Sequence, residues 1–356
     1  MAGEELKYVI ALGCLYYQNA RKVRELIEVT GSAEEAWLRA TGERKNESLS
    51  HAERELEFIA KHGIATYYYT DSAYPHRLRE CSDAPVLLFG KGHLNLNEGK
   101  FVSIVGTRSA TERGKETTRR LVLDLAQKVP NVTIISGLAY GIDVAAHRAA
   151  LEAGIPTIIV PAHGLDRVYP HIHRQVAVDA LAQGGIVTEY PSETEPERSY
   201  FLARNRIVAG LADAVVVVES KLKGGALVTA YLACDYARSL YAFTGRPNDI
   251  NSQGCNALIK NNRAMLIDSA DDIIRDMQWE TNKQNVQTEI EDLFVNLDST
   301  EKQLLQLLRN AEDGMHVNEL VAEMELDYAQ VAASLMVLEM QDFVKALPGN
   351  IYRARK

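Results

Sequence analysis

The sequence predicts an α/β protein in which a central parallel sheet lies between a small helical N-terminal domain and a C-terminal winged helix. Three observations support this fold class. Short apolar runs alternate with helical patterns between residues 101 and 275, as in parallel sheets with right-handed crossovers. Some runs, such as residues 214–218, are continuously apolar and rich in valine, which fits strands covered on both faces. Residues 301–353 contain three helical patterns followed by a hairpin pattern.

The N-terminal domain is predicted over residues 1–65, because Leu56, Phe58 and Ile59 and earlier apolar residues recur there at helical spacing. A linking segment with two short apolar runs follows, at residues 65–69 and 86–89. The central domain is predicted over residues 66–277. Its strand candidates are residues 101–105, 132–135, 156–160, 185–188, 214–218, 240–243 and 264–267, and helical patterns occupy residues 112–128, 143–153, 171–183 and 226–237.

A polar segment rich in Asn, Gln and Glu, residues 278–298, is predicted to be a linker, and the winged helix is predicted over residues 299–356. Asp298 and Glu301 have the spacing of a capping box at the start of its first helix. The third helical pattern, residues 327–341, contains Asp327 and Glu339 but no Lys or Arg. Because phosphate contacts need cations, we expect this module to bind protein or to be a packed appendage.

Composition limits the possible functions. The chain has 356 residues and a formal net charge of −9, which opposes nonspecific attraction to nucleic acid, so any DNA site must be a local basic patch. The four cysteines are widely scattered, which predicts free thiols and neither disulfides nor a metal site. No apolar stretch is long enough to span a bilayer, and no signal-peptide pattern is present, so we expect a cytoplasmic protein without a membrane partner.

Two loops of small residues follow the first two strand candidates of the central domain. Residues 106–108 read Gly-Thr-Arg, and residues 136–143 read Ser-Gly-Leu-Ala-Tyr-Gly-Ile-Asp. Backbone N–H groups and helix N-termini at such loops favour phosphate, and Arg108 adds a planar cation. Each loop taken alone is as readily explained by a tight turn. Neither loop carries a nucleophile beside a base, so the pattern predicts phosphate binding without catalysis.

The richest basic cluster, residues 198–206, interleaves arginines with Tyr200 and Phe201. Cations that follow phosphates and rings that stack on bases suit single-stranded nucleic acid. The alternative is an amphipathic helix whose arginines extend over Glu193, Glu195 and Glu197. Lys221, Lys223, Lys260 and Arg263 could extend the basic surface. His163, His171 and His173 lie near Asp166 in the sequence, but their spacing matches no metal-ligand pattern, so we expect them to be structural loop residues.

Taken together, these motifs resemble those of the DNA-processing protein A family, also called Smf. The Gly-Thr-Arg loop and residues 136–143 match the family motifs, as do the ordered segments at 164–170, 188–191, 201–211 and 254–259. The N-terminal region resembles the family's helix-hairpin-helix or SAM-like accessory domain. The resemblance implies an extended Rossmann-like fold that binds single-stranded DNA without hydrolysing it. It also implies a homodimer that loads RecA recombinase during natural transformation, with no cofactor.

The residues expected at the DNA site combine the loops, the basic cluster and the family contacts: Gly106, Thr107, Arg108, Ser109, Ser136, Gly137, Gly141, His171, Arg198, Phe201, Arg204, Asn205 and Lys223. The expected dimer interface comprises Leu258, Ile259 and Met265. Residues 224–230 lack two serines of the family's matching loop, which weakens the case for side-chain hydrogen bonds there.

Two other functions fit parts of the pattern. A Rossmann-type nucleotide hydrolase would need a catalytic glutamate, and none stands at the matching place in residues 224–231. A transcription regulator would use its winged helix on duplex DNA, which the acidic third helix opposes.

Overall fold

The computed structural model describes residues 3–281, 298–311, 314–324, 326–340, 343–347 and 349–354. The chain forms two compact units, residues 1–282 and 283–356. Most of the predicted linker, residues 278–298, lies outside the described residues.

The first unit contains a nine-stranded sheet. Its strands are β1 (Ala65–Tyr68), β2 (Leu87–Gly92), β3 (Lys100–Val105), β4 (Val132–Ser136), β5 (Thr157–Ile159), β6 (Gly184–Thr188), β7 (Ala214–Val217), β8 (Ser239–Phe243) and β9 (Met265–Ile267). Its helices are α1 (Gly3–Leu15), α2 (Ala20–Thr30), α3 (Ala33–Arg39), α4 (Lys45–His62), α5 (His76–Arg79), α6 (Glu112–Lys128), α7 (Ile142–Glu152), α8 (Arg174–Gln183), α9 (Arg198–Gly210), α10 (Gly225–Asp235), α11 (Gln253–Lys260) and α12 (Ala270–Asp276), with a 3-10 helix at His171–His173.

The strand order is β1-β2-β6-β5-β4-β3-β7-β8-β9. All neighbours from β6 to β9 are parallel. The sheet is not wholly parallel, because β2 pairs antiparallel with β6 and β1 pairs antiparallel with β2. The segment expected to be only a link therefore extends the sheet. The chain builds outward from β3 in one direction and from β7 in the other, so a topological switch point lies between these two strands.

Alternation along the buried strands gives the sheet two apolar faces. Phe101 and Val105 of β3 belong to a cluster that includes Val208 of α9 and Leu227 of α10. The intervening Val102 and Ile104 belong to the cluster on the opposite face, under helices α6, α7 and α12. The N-terminal helices α1 to α4 form a third cluster against β1 and β2. Burial on both faces holds the carboxyl ends of the central strands at fixed positions.

The second unit has the winged-helix element order: α13 (Ser299–Asn310), β10 (Met315–His316), α14 (Val317–Met324), α15 (Tyr328–Met340), β11 (Val344–Leu347) and β12 (Ile351–Ala354). The sheet order is β10-β12-β11. Asp298 and Glu301 form the predicted capping box at the start of α13. The third helix, α15, exposes Tyr328, Met336 and Met340. Within the described residues, none of the helices is long and apolar enough to cross a bilayer.

Candidate nucleic-acid interface

A groove with a volume of about 690 Å³ opens where β3, β4 and β7 end. Its walls are the loops after these strands, one side of α9 and the first turn of α10. The groove therefore lies at the switch point, which is where open α/β sheets bind ligands. Nine of the predicted DNA-site residues line it: Gly106, Thr107, Arg108, Gly137, Arg198, Phe201, Arg204, Asn205 and Lys223, the last in the loop before α10.

Two glycines allow the loops after β3 and β4 to pack together. Gly141 has a φ of +81°, and a Cβ there would lie 2.8 Å from the carbonyl oxygen of Arg108. A Cβ on Gly106 would lie 2.8 Å from the Cβ of Ile142, the first residue of α7. Only glycine accommodates both demands. Packing between the loops thus accounts for these glycines, and it places Arg108 beside the loop after β4.

The cations of the groove are exposed and available. Arg108, Arg198, Lys221 and Lys223 line it and are each exposed to solvent. Across residues 3–281, none of these four side chains forms an ion pair. Helix α10 begins beside the two lysines, and its N-cap, Gly224, supplies no side-chain capping hydrogen bond. The helix start adds partial positive charge to the same wall, so the groove is suited to an anionic ligand.

An aromatic pair lies among these cations. The Phe201 ring centroid is 5.0 Å from the Arg108 guanidinium carbon, a cation–π geometry. The Tyr169 ring lies 5.9 Å from the Phe201 ring at an angle of 56°, and Tyr169 is 47% exposed. Sequence reasoning missed Tyr169, because its loop after β5 gave no signal that it meets α9. Together the two rings, inclined at 56° to each other, form an aromatic surface beside the charges.

Two arginines of the basic cluster point inward. Arg206 pairs with the buried carboxylate of Glu189, and Arg204, 4% exposed, donates a hydrogen bond to the carbonyl oxygen of Val160. Neither extends over Glu193, Glu195 or Glu197, so that alternative was wrong for both. Arg204 lies under the groove floor and contributes charge from below. The prediction of Arg204 as a surface DNA contact is corrected accordingly.

Asp143, 8% exposed, lies beneath the same floor. A Cβ on Gly137 would collide with the Asp143 carboxylate and lie 2.5 Å from Arg204 Nη1, so the loop must have glycine at this position. Burial raises the pKa of Asp143, and the nearby Arg204 acts in the opposite direction. Among the described residues that line the groove, Asp143 is the single carboxylate. Its side chain is buried, and its carboxylate accepts a hydrogen bond from the Ala139 N–H at 3.4 Å.

Four predicted site residues lie outside the groove lining. Ser136 is fully buried, and its hydroxyl donates to the carbonyl oxygen of Ile104 at 2.6 Å, so it cannot reach a ligand. Ser109 is exposed at the rim, where its carbonyl oxygen accepts a hydrogen bond from Asn251. Gly141 supports the loop from behind. His171 is exposed on the 3-10 helix next to the groove.

The predicted dimer residues do not share one environment. Leu258 is 2% exposed and belongs to the core of its own chain, so its prediction as an interface residue is wrong. Ile259 packs partly against that core. Met265 is 39% exposed on β9, the edge strand of the sheet, and Leu266 beside it is 45% exposed. The sequence pattern of α11 does not show that Leu258 faces the core, whereas the neighbouring Ile259 is only partly buried.

Of the candidate histidines, His163 is held by hydrogen bonds within the protein. His163 contacts the carbonyl oxygen of Gly164 at 2.8 Å and accepts a hydrogen bond from the Tyr169 N–H. Burial lowers the pKa of His163 and of His173. Within the described residues, no group of three or more His, Cys, Asp or Glu side chains is placed to hold a metal ion.

Residues 65–278 match the family model described as DNA recombination-mediator protein A, and residues 295–350 match the DprA winged helix domain. The chain is 38% identical over 210 residues to the DNA processing protein DprA of Streptococcus pneumoniae, covering 59% of this chain and 73% of that protein. It is 33% identical to protein Smf of Escherichia coli over 287 residues, 80% of this chain and 75% of the relative.

Among the solved structures similar to the chain are two of DNA processing protein A. DNA processing protein A from S. pneumoniae matches with a TM-score of 0.65 at 31% identity, over 79% of this chain and 99% of that one. DNA processing protein A from Helicobacter pylori matches with a TM-score of 0.54 at 30% identity, over 60% of this chain and 95% of that one; its structure is described as giving insight into a single-stranded DNA binding mode.

Proposed function

Because the chain belongs to the DNA recombination-mediator protein A family, we propose that it binds single-stranded DNA in the groove at the switch point and performs no chemistry on it. Arg108, Arg198, Lys221 and Lys223 contact successive phosphates, and Phe201 stacks on a base. The observation that carries this proposal is the set of four exposed cations, none of them in an ion pair within residues 3–281, that line the groove together with Phe201 and Tyr169. Such a combination holds an unpaired strand with little sequence preference.

A single strand fits this geometry better than a duplex does. Stacking on Phe201 and Tyr169 requires a base whose face is accessible, and bases in a duplex are already stacked on their neighbours. The rings lie inside the groove among the cations, so a strand that contacts the cations brings its bases to the rings. This arrangement favours single-stranded DNA by the stacking free energy, about 1–3 kcal/mol per base.

The proposal treats the protein as a binding protein and not as an enzyme. Hydrolysis of a phosphate or glycosidic bond needs a positioned base, acid or metal in contact with the substrate. The lining carboxylate, Asp143, is buried beside Arg204, which does not support a role as general base. A nucleotide hydrolase is therefore the weaker candidate, and incubation with nucleoside monophosphates tests it: release of free base would favour that class.

Membership of the family supports a finer proposal. The protein acts in the cytoplasm as a homodimer that protects single-stranded DNA and loads RecA recombinase on it, as in the processing of DNA during natural transformation. For the dimer we propose the sheet edge at β9, where Met265 and Leu266 are exposed beside Ile259. An isologous contact there would use the same apolar patch from both subunits.

The substitution Arg108→Ala tests the DNA site. Arg108 is exposed, and its guanidinium lies over the Phe201 ring and forms no ion pair within residues 3–281, so we expect at least about tenfold weaker binding of a fluorescent oligothymidylate, or about 1.4 kcal/mol. The melting temperature should stay close to that of the wild type. The matched control is Arg120→Ala, since Arg120 is exposed on α6 and does not line the groove. Equal affinity for the wild type and the Arg108 variant would contradict the proposed site.

A further inference from the structure

We propose that Tyr140 forms a second base-stacking platform, which holds the DNA strand after it leaves the groove past β4. This inference rests on the proposed function and extends the binding path beyond Phe201. Tyr140 lies in the loop after β4 and is 49% exposed. It lies outside the lining of the groove, so the first site does not account for its exposure.

The Tyr140 ring is supported from below. Its centroid lies 5.1 Å from that of His173, with the two rings at 65° in an edge-to-face arrangement. His173 is 5% exposed, and neither of its ring nitrogens has a hydrogen-bond partner among the described residues. Burial, with a smaller effect of Arg148, lowers the pKa of His173, so the imidazole is neutral near pH 7. It acts as an aromatic support that holds the tyrosine ring in place.

Two chain segments join this platform to the groove. Ala139 lines the groove and directly precedes Tyr140. Tyr169 lies in the groove near Phe201, and the five-residue segment that begins at Tyr169 ends at His173, beneath the Tyr140 ring. In the sheet, β5 is the next strand beyond β4, and neighbouring strands are about 4.8 Å apart. A strand of DNA that crosses β3 and β4 therefore continues toward Tyr140.

The surroundings of the platform suit DNA. Ile172 is 71% exposed beside the supporting histidine, and Arg148 on α7 and Arg174 on α8 are exposed. Neither arginine forms an ion pair within residues 3–281. Of the carboxylates on these two helices, Glu152 on α7 pairs with Arg119, and Asp179 on α8 accepts a hydrogen bond from Gln175. A single exposed tyrosine is ordinary, but this ring is supported by a buried imidazole and follows a residue that lines the groove, and α7 and α8 each carry an exposed arginine. These features together favour base stacking at Tyr140.

Oligomers of two lengths distinguish binding at Tyr140 from binding in the groove. We expect Tyr140→Ala to weaken binding of an oligothymidylate of about 20 nucleotides by about 5- to 150-fold, the effect of one lost stack. Binding of an oligomer of about 4 nucleotides, which fills only the groove, should stay at the wild-type value. Tyr140→Phe should bind both lengths like the wild type, because it retains the ring. Tyr231→Ala, at a tyrosine that is 48% exposed on α10 and outside the groove lining, is the matched control.

A second readout detects the contact directly. Tyr140→Trp should lose tryptophan fluorescence when the long oligomer binds, and Tyr231→Trp should not. Unchanged affinity of Tyr140→Ala for the long oligomer, or an equal loss for both lengths, would overturn the platform. A different result would contradict the proposed DNA site in the groove: in that case Phe201→Ala would bind the short oligomer as tightly as the wild type does.

Discussion

The substitution Phe201→Ala tests whether the aromatic ring stacks on a base while the cations of the groove contact phosphates. Phe201 lies on α9 and outside the apolar core clusters of the protein, so its loss should leave the fold intact. The ring touches the Arg108 guanidinium on one side and Tyr169 on another. Its removal deletes a stacking surface and leaves all four exposed cations in place.

The expected magnitude follows from these contacts. One base stack is worth about 1–3 kcal/mol, which corresponds to about 5- to 150-fold in the dissociation constant. The cation–π contact at an exposed site adds about 0.5–1 kcal/mol, and its loss lets Arg108 move without leaving the groove. The double variant with Arg108→Ala should therefore lose less affinity than the sum of the single variants, by about that amount.

Fluorescence anisotropy with an oligothymidylate at several salt concentrations measures both effects. Phe201→Ala should shift the binding curve at every salt concentration and keep the wild-type salt slope. Arg198→Ala should instead lower the slope by about 0.7, the value for one phosphate contact on a single strand. If both variants changed the slope equally, or if Phe201→Ala bound like the wild type, the reasoning about the aromatic pair would be refuted.

Three further predictions concern stability, association and the winged helix. Burial holds the folded-state pKa of His147 at about 4, below its ordinary value of 6.5, so the unfolded state takes up a proton that the folded state excludes. The free energy of unfolding should therefore be unaffected by His147 above pH 6.5 and should fall by about 1.4 kcal/mol per pH unit as the pH drops toward 4. Urea unfolding at several pH values measures this fall, and His147→Gln should make the fall smaller. Ile259→Arg should give monomers by light scattering through a charge placed at the proposed apolar interface, whereas a wild type already monomeric at micromolar concentration would rule out that dimer. Truncation after Thr281 should keep most single-strand affinity, because α15 carries no Lys or Arg; a loss of more than about tenfold would show that the winged helix binds DNA directly. A cut that removed residues 276–279 would disturb the fold, because Asp276 accepts a hydrogen bond from Tyr241, and Met277 and Trp279 pack against the core.

Periodicity in the sequence was sufficient for the parallel part of the sheet. The seven strand candidates end within one residue of β3 to β9, because strands buried on both faces are continuous apolar runs. It was insufficient for β1 and β2, whose antiparallel pairing depends on a distant partner, β6. Strand order, and hence the switch point, also arises from long-range packing that no local pattern contains.

The candidate site shows the same limit at single residues. Arg108, Arg198 and Phe201 were identified by residue type, and the structure brings them into one groove. By residue type, Arg204 and Ser136 are equally good candidates for a DNA site and Leu258 for an interface, but all three side chains are buried in the protein. Their direction depends on the buried partners, such as the carbonyl oxygen of Val160 for Arg204. Tyr169 and Tyr140 were missed because their role as stacking surfaces depends on which other rings they contact, and these contacts form only in the folded chain.

A salt-dependent titration of the wild type with single-stranded and duplex DNA of equal length tests the central claim most directly. Four exposed cations line the groove, and each phosphate contact on a single strand contributes about −0.7 to the slope of log K against log salt. We predict a slope of about −3 and tighter binding of the single strand than of the duplex at every salt concentration. A slope near zero, or affinity for the duplex equal to or greater than that for the single strand, would contradict the account.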